Sequence, residues 1–203
     1  MPLLFARQLT RVCTALLLAC ALPACSPTPP SPPAVAFQGQ DISGSLTLQD
    51  FTLTDHNGQP RKLSEFRGKA VAVYFGYTHC PDVCPTTLAE LAQSMRELGP
   101  QADQVQVLFI TIDPARDTQA LLKSYAPAFD PRFIGLTGSP AQIASVAGQF
   151  RALYRRQDGA NGDYTMDHSA GAYLLDRDGK LRVEVPYGSG AATFTHDLRA
   201  LLQ

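Results

Sequence analysis

Tyr74-Phe75-Gly76-Tyr77-Thr78-His79-Cys80-Pro81-Asp82-Val83-Cys84-Pro85-Thr86-Thr87-Leu88 is the stretch on which the reading of this chain turns. The residues leading into it, 70–76, are an apolar, β-branched run that reads as a buried strand. In the residues that follow, Leu88, Leu91, Met95 and Leu98 recur every three or four positions. That period makes 86–98 a helix, and Pro85 suits its start. Two cysteines therefore sit where a strand gives way to a helix. Unpaired N–H groups and the positive end of the helix dipole favour thiolate over thiol at such a place. Thiolate both binds metal and attacks disulfides, so location alone leaves both chemistries open.

Working outward, further strand-like runs cover 105–113 and 132–137. Residues 172–176 and 181–185 flank the turn signal Arg177-Asp178-Gly179-Lys180 and read as a hairpin. Residues 46–53 and the segment after His56-Asn57-Gly58 read as another, because Asn-Gly suits a type I′ turn. Helical patterns fill 118–125 behind a cap at Asp117, 141–154 behind Ser139-Pro140, and 192–202. Strands alternating with helices demand a mainly parallel sheet covered on both faces, and the last hairpin makes it mixed. The expected fold class is α/β: a thioredoxin-like fold, a mixed, mainly parallel sheet flanked by helices, with an extra N-terminal hairpin.

At 203 residues, 45% hydrophobic and 17% charged, the chain has the composition of one globular domain plus a leader, not of a disordered polymer. A net charge of −1 provides no basic footprint for nucleic acid. Arg7 and Arg11 are the only charges before residue 41, and the apolar run 12–22 stops at Pro23. That is short of the roughly 20 residues of a bilayer span and reads as an export signal. Leu22-Pro23-Ala24-Cys25 resembles the lipobox of bacterial lipoproteins, in which Cys25 would be lipidated; Pro23 departs from the small or aliphatic residue usual there, and an uncleaved signal anchor or an ordinary cleaved signal is the alternative. Residues 26–33, Ser-Pro-Thr-Pro-Pro-Ser-Pro-Pro, make a stiff spacer. The expected organisation is an export signal over 1–25, a Pro-rich tether over 26–45 and a folded domain over 46–203. The domain would lie on the periplasmic side of a bacterial membrane, lipid-anchored, and losing Arg7 and Arg11 would shift its charge to −3.

Of five cysteines, Cys13 and Cys20 fall in the leader and Cys25 at its end, which leaves Cys80 and Cys84 for the domain. A pair so close in sequence staples little. Thiol oxidoreductases of this fold use two intervening residues, and this loop has three, including Pro81. Both sulfurs can converge on a soft ion such as Cu(I), and a Cys80–Cys84 disulfide remains accessible as an oxidised form. No proline occurs between Pro140 and Pro186, so the cis-proline that faces the cysteines in those enzymes is missing ahead of Ala172. Asp167-His168-Ser169 stands there instead. A histidine opposite two cysteines suits copper in either oxidation state.

Four collinear pieces make the sequence similar to the SCO/SenC family of copper-binding proteins, which assist assembly of the copper centre in cytochrome c oxidase. They are Gly76-Tyr-Thr-His-Cys-Pro-Asp-Val-Cys-Pro85, Asp113-Pro-Ala-Arg-Asp-Thr118, Gly135-Leu-Thr-Gly138 and Asp167-His168, within a resemblance spanning about 46–202. The resemblance implies that Cys80, Cys84 and His168 ligate copper, as Cu(I) or Cu(II). It implies the copper-bearing subunit of cytochrome c oxidase as partner, together with other periplasmic copper carriers. The family is often anchored by a transmembrane helix, and the lipoprotein-like start departs from that.

Two roles stay open: a metallochaperone without turnover, or a thiol-disulfide reductase that keeps the acceptor's cysteines reduced through a redox-active Cys80–Cys84 pair. Nothing beyond the fold asks for peroxidase chemistry, and three ligands are one short of a structural zinc site. His79 is expected to point away from the cysteines, Asp82 to face solvent, and His56 and His196 to be structural. The 113–118 motif reads either as a cap for the next helix or as support for the site loop.

Overall fold

The two strands with the strongest apolar runs form the middle of an eight-stranded sheet. The structure, a computed structural model, describes residues 36–203. The expected export signal, Cys25 and the whole 26–33 spacer lie outside the described residues, among which no helix is long and apolar enough to cross a membrane.

In chain order the elements are β1 (Gln40–Asp41), β2 (Thr52–Asp55), β3 (Pro60–Lys62), β4 (Ala70–Gly76), α1 (Val83–Leu98), β5 (Val105–Thr111) and α2 (Gln119–Phe129). Then come β6 (Ile134–Thr137), α3 (Pro140–Gln149), β7 (Tyr154–Asp158), β8 (Tyr164–His168), β9 (Ala172–Leu175), β10 (Leu181–Val185) and α4 (Gly190–Leu201). The large sheet runs β1-β10-β9-β4-β5-β6-β2-β3. β4, β5 and β6 are parallel neighbours, and the pairings outside them are antiparallel. The sheet is mixed, as expected, but it is not mainly parallel: only β4–β5 and β5–β6, two of its seven pairings, are parallel, because hairpins and edge strands extend it on both sides of that centre. Every residue of β4 and β5 is buried, as strands covered on both faces require. Adjacent β4 side chains serve opposite layers: Tyr74 meets Phe109, which packs on Tyr125 of α2, whereas Phe75 meets Phe150 and Tyr173.

Several local expectations shift for identifiable reasons. α1 begins at Val83, so Cys84 lies inside the first helical turn; Pro85 fits because first-turn N–H groups have no intrahelical partner. α2 continues through Pro127 to Phe129, whose ring packs on Tyr125. α3 opens with the Ser139–Gln142 capping box but ends at Gln149 instead of residue 154, because Arg151 turns left-handed (φ 55°). The N-terminal hairpin is present, but its turn is not type I′. That turn needs positive φ at both central residues, and only Gly58 has it (φ 81°). The Asp55 carboxylate instead organises the loop by accepting the N–H groups of Asn57 and Gln59.

Two features lie outside the sequence reading. β7 and β8 form a separate two-stranded sheet with Tyr154 opposite His168. Residues 40–41, within the segment read as tether, pair with Val183–Glu184 at the sheet edge. Just before them, the fully buried Asp197 carboxylate of α4 accepts the N–H groups of Gln38 and Gly39, each at 2.8 Å. The packed chain therefore starts ahead of residue 46.

Candidate metal centre

The loop leaving β4 turns back at once. Cys80 N–H bonds to the Tyr77 carbonyl, and the Cys80 sulfur accepts the Cys84 N–H at 3.4 Å. The first turn of α1 thus gives one of its unpaired donors to a cysteine sulfur. The third group arrives from the separate hairpin, where His168 is the last residue of β8. Its Nε2 lies 3.4 Å from Cys84 Sγ, and the ligand atoms of Cys80, Cys84 and His168 all fall within 4.8 Å of one another. Both cysteines are free thiols; Cys84 is fully buried and Cys80 is 9% exposed.

The imidazole is oriented by its neighbour. His168 Nδ1 lies 2.8 Å from the Ser169 carbonyl oxygen, which can only accept. Nδ1 therefore carries the proton, and Nε2 turns its lone pair toward the sulfurs, the tautomer a metal ligand needs. The rings of Tyr74 and Tyr77 meet the imidazole edge-on, at centroid distances of 6.3 and 6.0 Å. Burial lowers the proton affinity of His168, which keeps it neutral.

For Cys84 the expectation of a thiolate is overturned. Burial outweighs the helix start and pushes this thiol up to about 12. A cation binding the Cys84 sulfur must therefore displace a proton from it. Two soft sulfurs and one imidazole nitrogen, with no carboxylate among them, fit a soft ion such as copper better than a hard one.

A model of the family described as SCO1/SenC matches residues 39–203. The chain belongs to the SCO1/SenC family. Among its relatives, the mouse protein named "Protein SCO2 homolog, mitochondrial" is 47% identical over 133 residues, 64% of this chain and 52% of that protein. The chain thus spans about half the length of that relative. Among solved structures, Bradyrhizobium japonicum ScoI with copper bound is 43% identical. It has a TM-score of 0.71, with 76% of this chain and 98% of that one covered. Apo Sco1 from Thermus thermophilus is 35% identical with a TM-score of 0.74, and the match covers 84% of this chain and all of that one. These likenesses establish the thioredoxin-like fold.

Within this SCO1/SenC chain, the 113–118 motif turns out to do both things its sequence suggested. Thr118 caps α2 by accepting the Leu121 N–H. Asp117, 1% exposed, holds the cysteine loop: it accepts the Thr78 N–H and hydroxyl and the Thr111 hydroxyl. Asp113 and Arg116 hold the other half of the centre. Tyr164, at the start of β8, donates its hydroxyl to Asp113 at 2.9 Å, and Arg116 donates to the Tyr164 carbonyl at 2.8 Å. The Tyr164 ring is flanked by Arg116 and Arg156, with guanidinium carbons 3.5 and 3.7 Å from its centroid. One six-residue loop therefore anchors both the strand end carrying the cysteines and the hairpin carrying the histidine.

His79 is half-exposed, bonds to the Thr78 hydroxyl and stays out of the ligand group, as expected. Asp82 is exposed and receives the Thr86 hydroxyl. His56 is structural, its Nδ1 accepting the Gly135 N–H at 3.0 Å. His196 lies beside Asp197. Tyr74, Tyr164 and Arg116 are the members sequence reasoning did not single out. For Tyr74 the available signal was a tyrosine two residues before the strand end, on the face opposite Phe75.

Proposed function

We propose that this chain is a copper-binding assembly factor in which Cys80, Cys84 and His168 hold one copper ion and pass it to the copper-bearing subunit of cytochrome c oxidase. The observation that carries the reading is the approach of His168 Nε2, with its lone pair freed by the Nδ1–Ser169 bond, to within 3.4 Å of Cys84 Sγ. The copper-bound ScoI relative supports copper as the cargo. The ligands come from two separate pieces of chain, the loop between β4 and α1 and the end of β8, so an acceptor can replace them stepwise, thiolate for imidazole first. The test is copper titration of the reduced protein. It should take up one equivalent, lost in Cys80→Ala and Cys84→Ala, whereas His168→Ala should lose Cu(II) and largely keep Cu(I). Unchanged binding in both cysteine variants would overturn the reading.

A second reading, reduction of the acceptor's cysteines, draws on the same two free thiols. Cys80 and Cys84 would give two electrons and two protons to an acceptor disulfide and close their own. This role has no use for His168, so full oxidase assembly in a His168→Ala strain would favour it over copper delivery.

The place of action follows from the leader: an export signal over 1–25, lipidation at Cys25 and a Pro-rich tether hold the domain on the periplasmic face of a bacterial membrane. A Cys25→Ala protein recovered from the membrane in the same amount as wild type would remove the lipid anchor from this scheme.

A further inference from the structure

Tyr74 has a fully buried side chain, and its hydroxyl makes no hydrogen bond of good geometry among the described residues, although the Cys84 sulfur and the Thr87 hydroxyl lie close by. An orphaned buried hydroxyl weakens the fold, and phenylalanine would fill the same space without that cost. The hydroxyl lies at the metal centre. A Cβ on Gly76 would sit 2.8 Å from Cys84 Sγ and 3.2 Å from Tyr74 Cε1, so the sulfur and the hydroxyl-bearing end of the ring crowd the same point. On its other side the ring meets the His168 imidazole edge-on. A thiolate sulfur is a much stronger hydrogen-bond acceptor than a thiol sulfur, so a donor beside Cys84 gains most when that sulfur ligates a metal.

We propose that the Tyr74 hydroxyl is a donor held in reserve for the Cys84 sulfur once that sulfur is a metal-bound thiolate, which makes Tyr74 a positioning residue of the centre. This rests on the copper reading above. A hydrogen bond to a ligating sulfur draws electron density from it and favours Cu(I) over Cu(II), so the residue sets the redox preference of the bound ion as well as its affinity. Tyr125 is the internal control. Its hydroxyl is also buried and unpartnered and its ring packs on Phe109 and Phe129, but it feels the two cysteines only through space, with no hydrogen bond to either.

The experiment compares the full chain with Tyr74→Phe and Tyr125→Phe in three measurements: urea unfolding without metal, competition for Cu(I) against a chelator, and absorption of the Cu(II) form. Without metal, both variants should be at least as stable as wild type. With metal, Tyr74→Phe should bind Cu(I) about tenfold more weakly. Its sulfur-to-Cu(II) band should also move to lower energy, with Tyr125→Phe unchanged in both. Wild-type affinity and an unmoved band in Tyr74→Phe would overturn the proposal and leave the copper site standing. A metal-free Tyr74→Phe clearly less stable than wild type would overturn it too, by showing that the hydroxyl already has a partner. A wild-type protein that takes up no copper would overturn this proposal and the copper reading together.

Discussion

Asp117 accepts both the N–H and the hydroxyl of Thr78, the latter at 2.6 Å, from a position 39 residues away in sequence. Thr78 stands two residues ahead of Cys80, so a buried carboxylate in the loop after β5 sets where the first sulfur comes to rest. Asp117→Ala would strand the Thr78 and Thr111 donors in a buried place. The expected cost is about 2–4 kcal/mol, read from the urea midpoint, with a fall in copper affinity alongside. A variant as stable as wild type would mean that water takes over the carboxylate's role.

The hairpin bearing His168 is tied down at its far end by Arg116. Arg116→Lys keeps a positive charge but loses the planar group that stacks on Tyr164 while bonding Asp113 and the Tyr164 carbonyl. Amide exchange should accelerate across 154–168 and stay unchanged in β4 and β5. Cu(II) uptake should weaken more than Cu(I) uptake, because the imidazole matters more to the former.

At Gly76 there is no room for a side chain. A Cβ would stand 2.8 Å from Cys84 Sγ and 2.9 Å from Phe109 Cε2. Gly76→Ala should cost about 1–3 kcal/mol through overpacking and displace the sulfur, so stability and copper affinity should fall together. A thermal melt and a copper competition on one preparation would decide it.

His56 links acid to stability. Its Nδ1 accepts the Gly135 N–H, which a proton on that atom would forbid. Burial, aided by Lys123 and opposed by Asp55, lowers its proton affinity below the usual 6.5. Its contribution is therefore complete above the unfolded value and is lost as pH drops through the lower folded value. In His56→Asn, whose amide oxygen can accept at any pH, the stability lost between pH 7.5 and pH 5 should shrink by about 1 kcal/mol. Equal losses in the two proteins would remove His56 from the acid response.

The legible part of this fold was the part driven by burial. β4 and β5 announce themselves because strands covered on both faces must be apolar throughout. Cys80 and Cys84 stood out in sequence at a strand-loop-helix junction, whereas His168 stood out by its place before Ala172 and by the resemblance to the SCO/SenC family; the structure brings the three together. β7 and β8 were missed for the converse reason: Tyr154-Arg-Arg-Gln-Asp158 and Tyr164-Thr-Met-Asp-His168 are half-exposed and polar, with no buried face to impose a period. Their pairing is stabilised by long-range contacts to Asp113 and Arg116, which no local window contains. The thiolate expectation at Cys84 failed on depth, because a helix start shows in sequence and the burial of one sulfur beneath Tyr74 does not.

The Asp197 clamp on Gln38 and Gly39 has a mechanical consequence. Gln40 lies across the sheet from Glu184, Tyr173 and Val73, so the chain ahead of it runs toward the end of the sheet where β4 releases the cysteine loop. Residues 38–39 and the start of the cysteine loop therefore lie toward the same end of the sheet. A pull on the chain at Gln38 would be taken first by the Asp197 carboxylate and a two-residue edge strand.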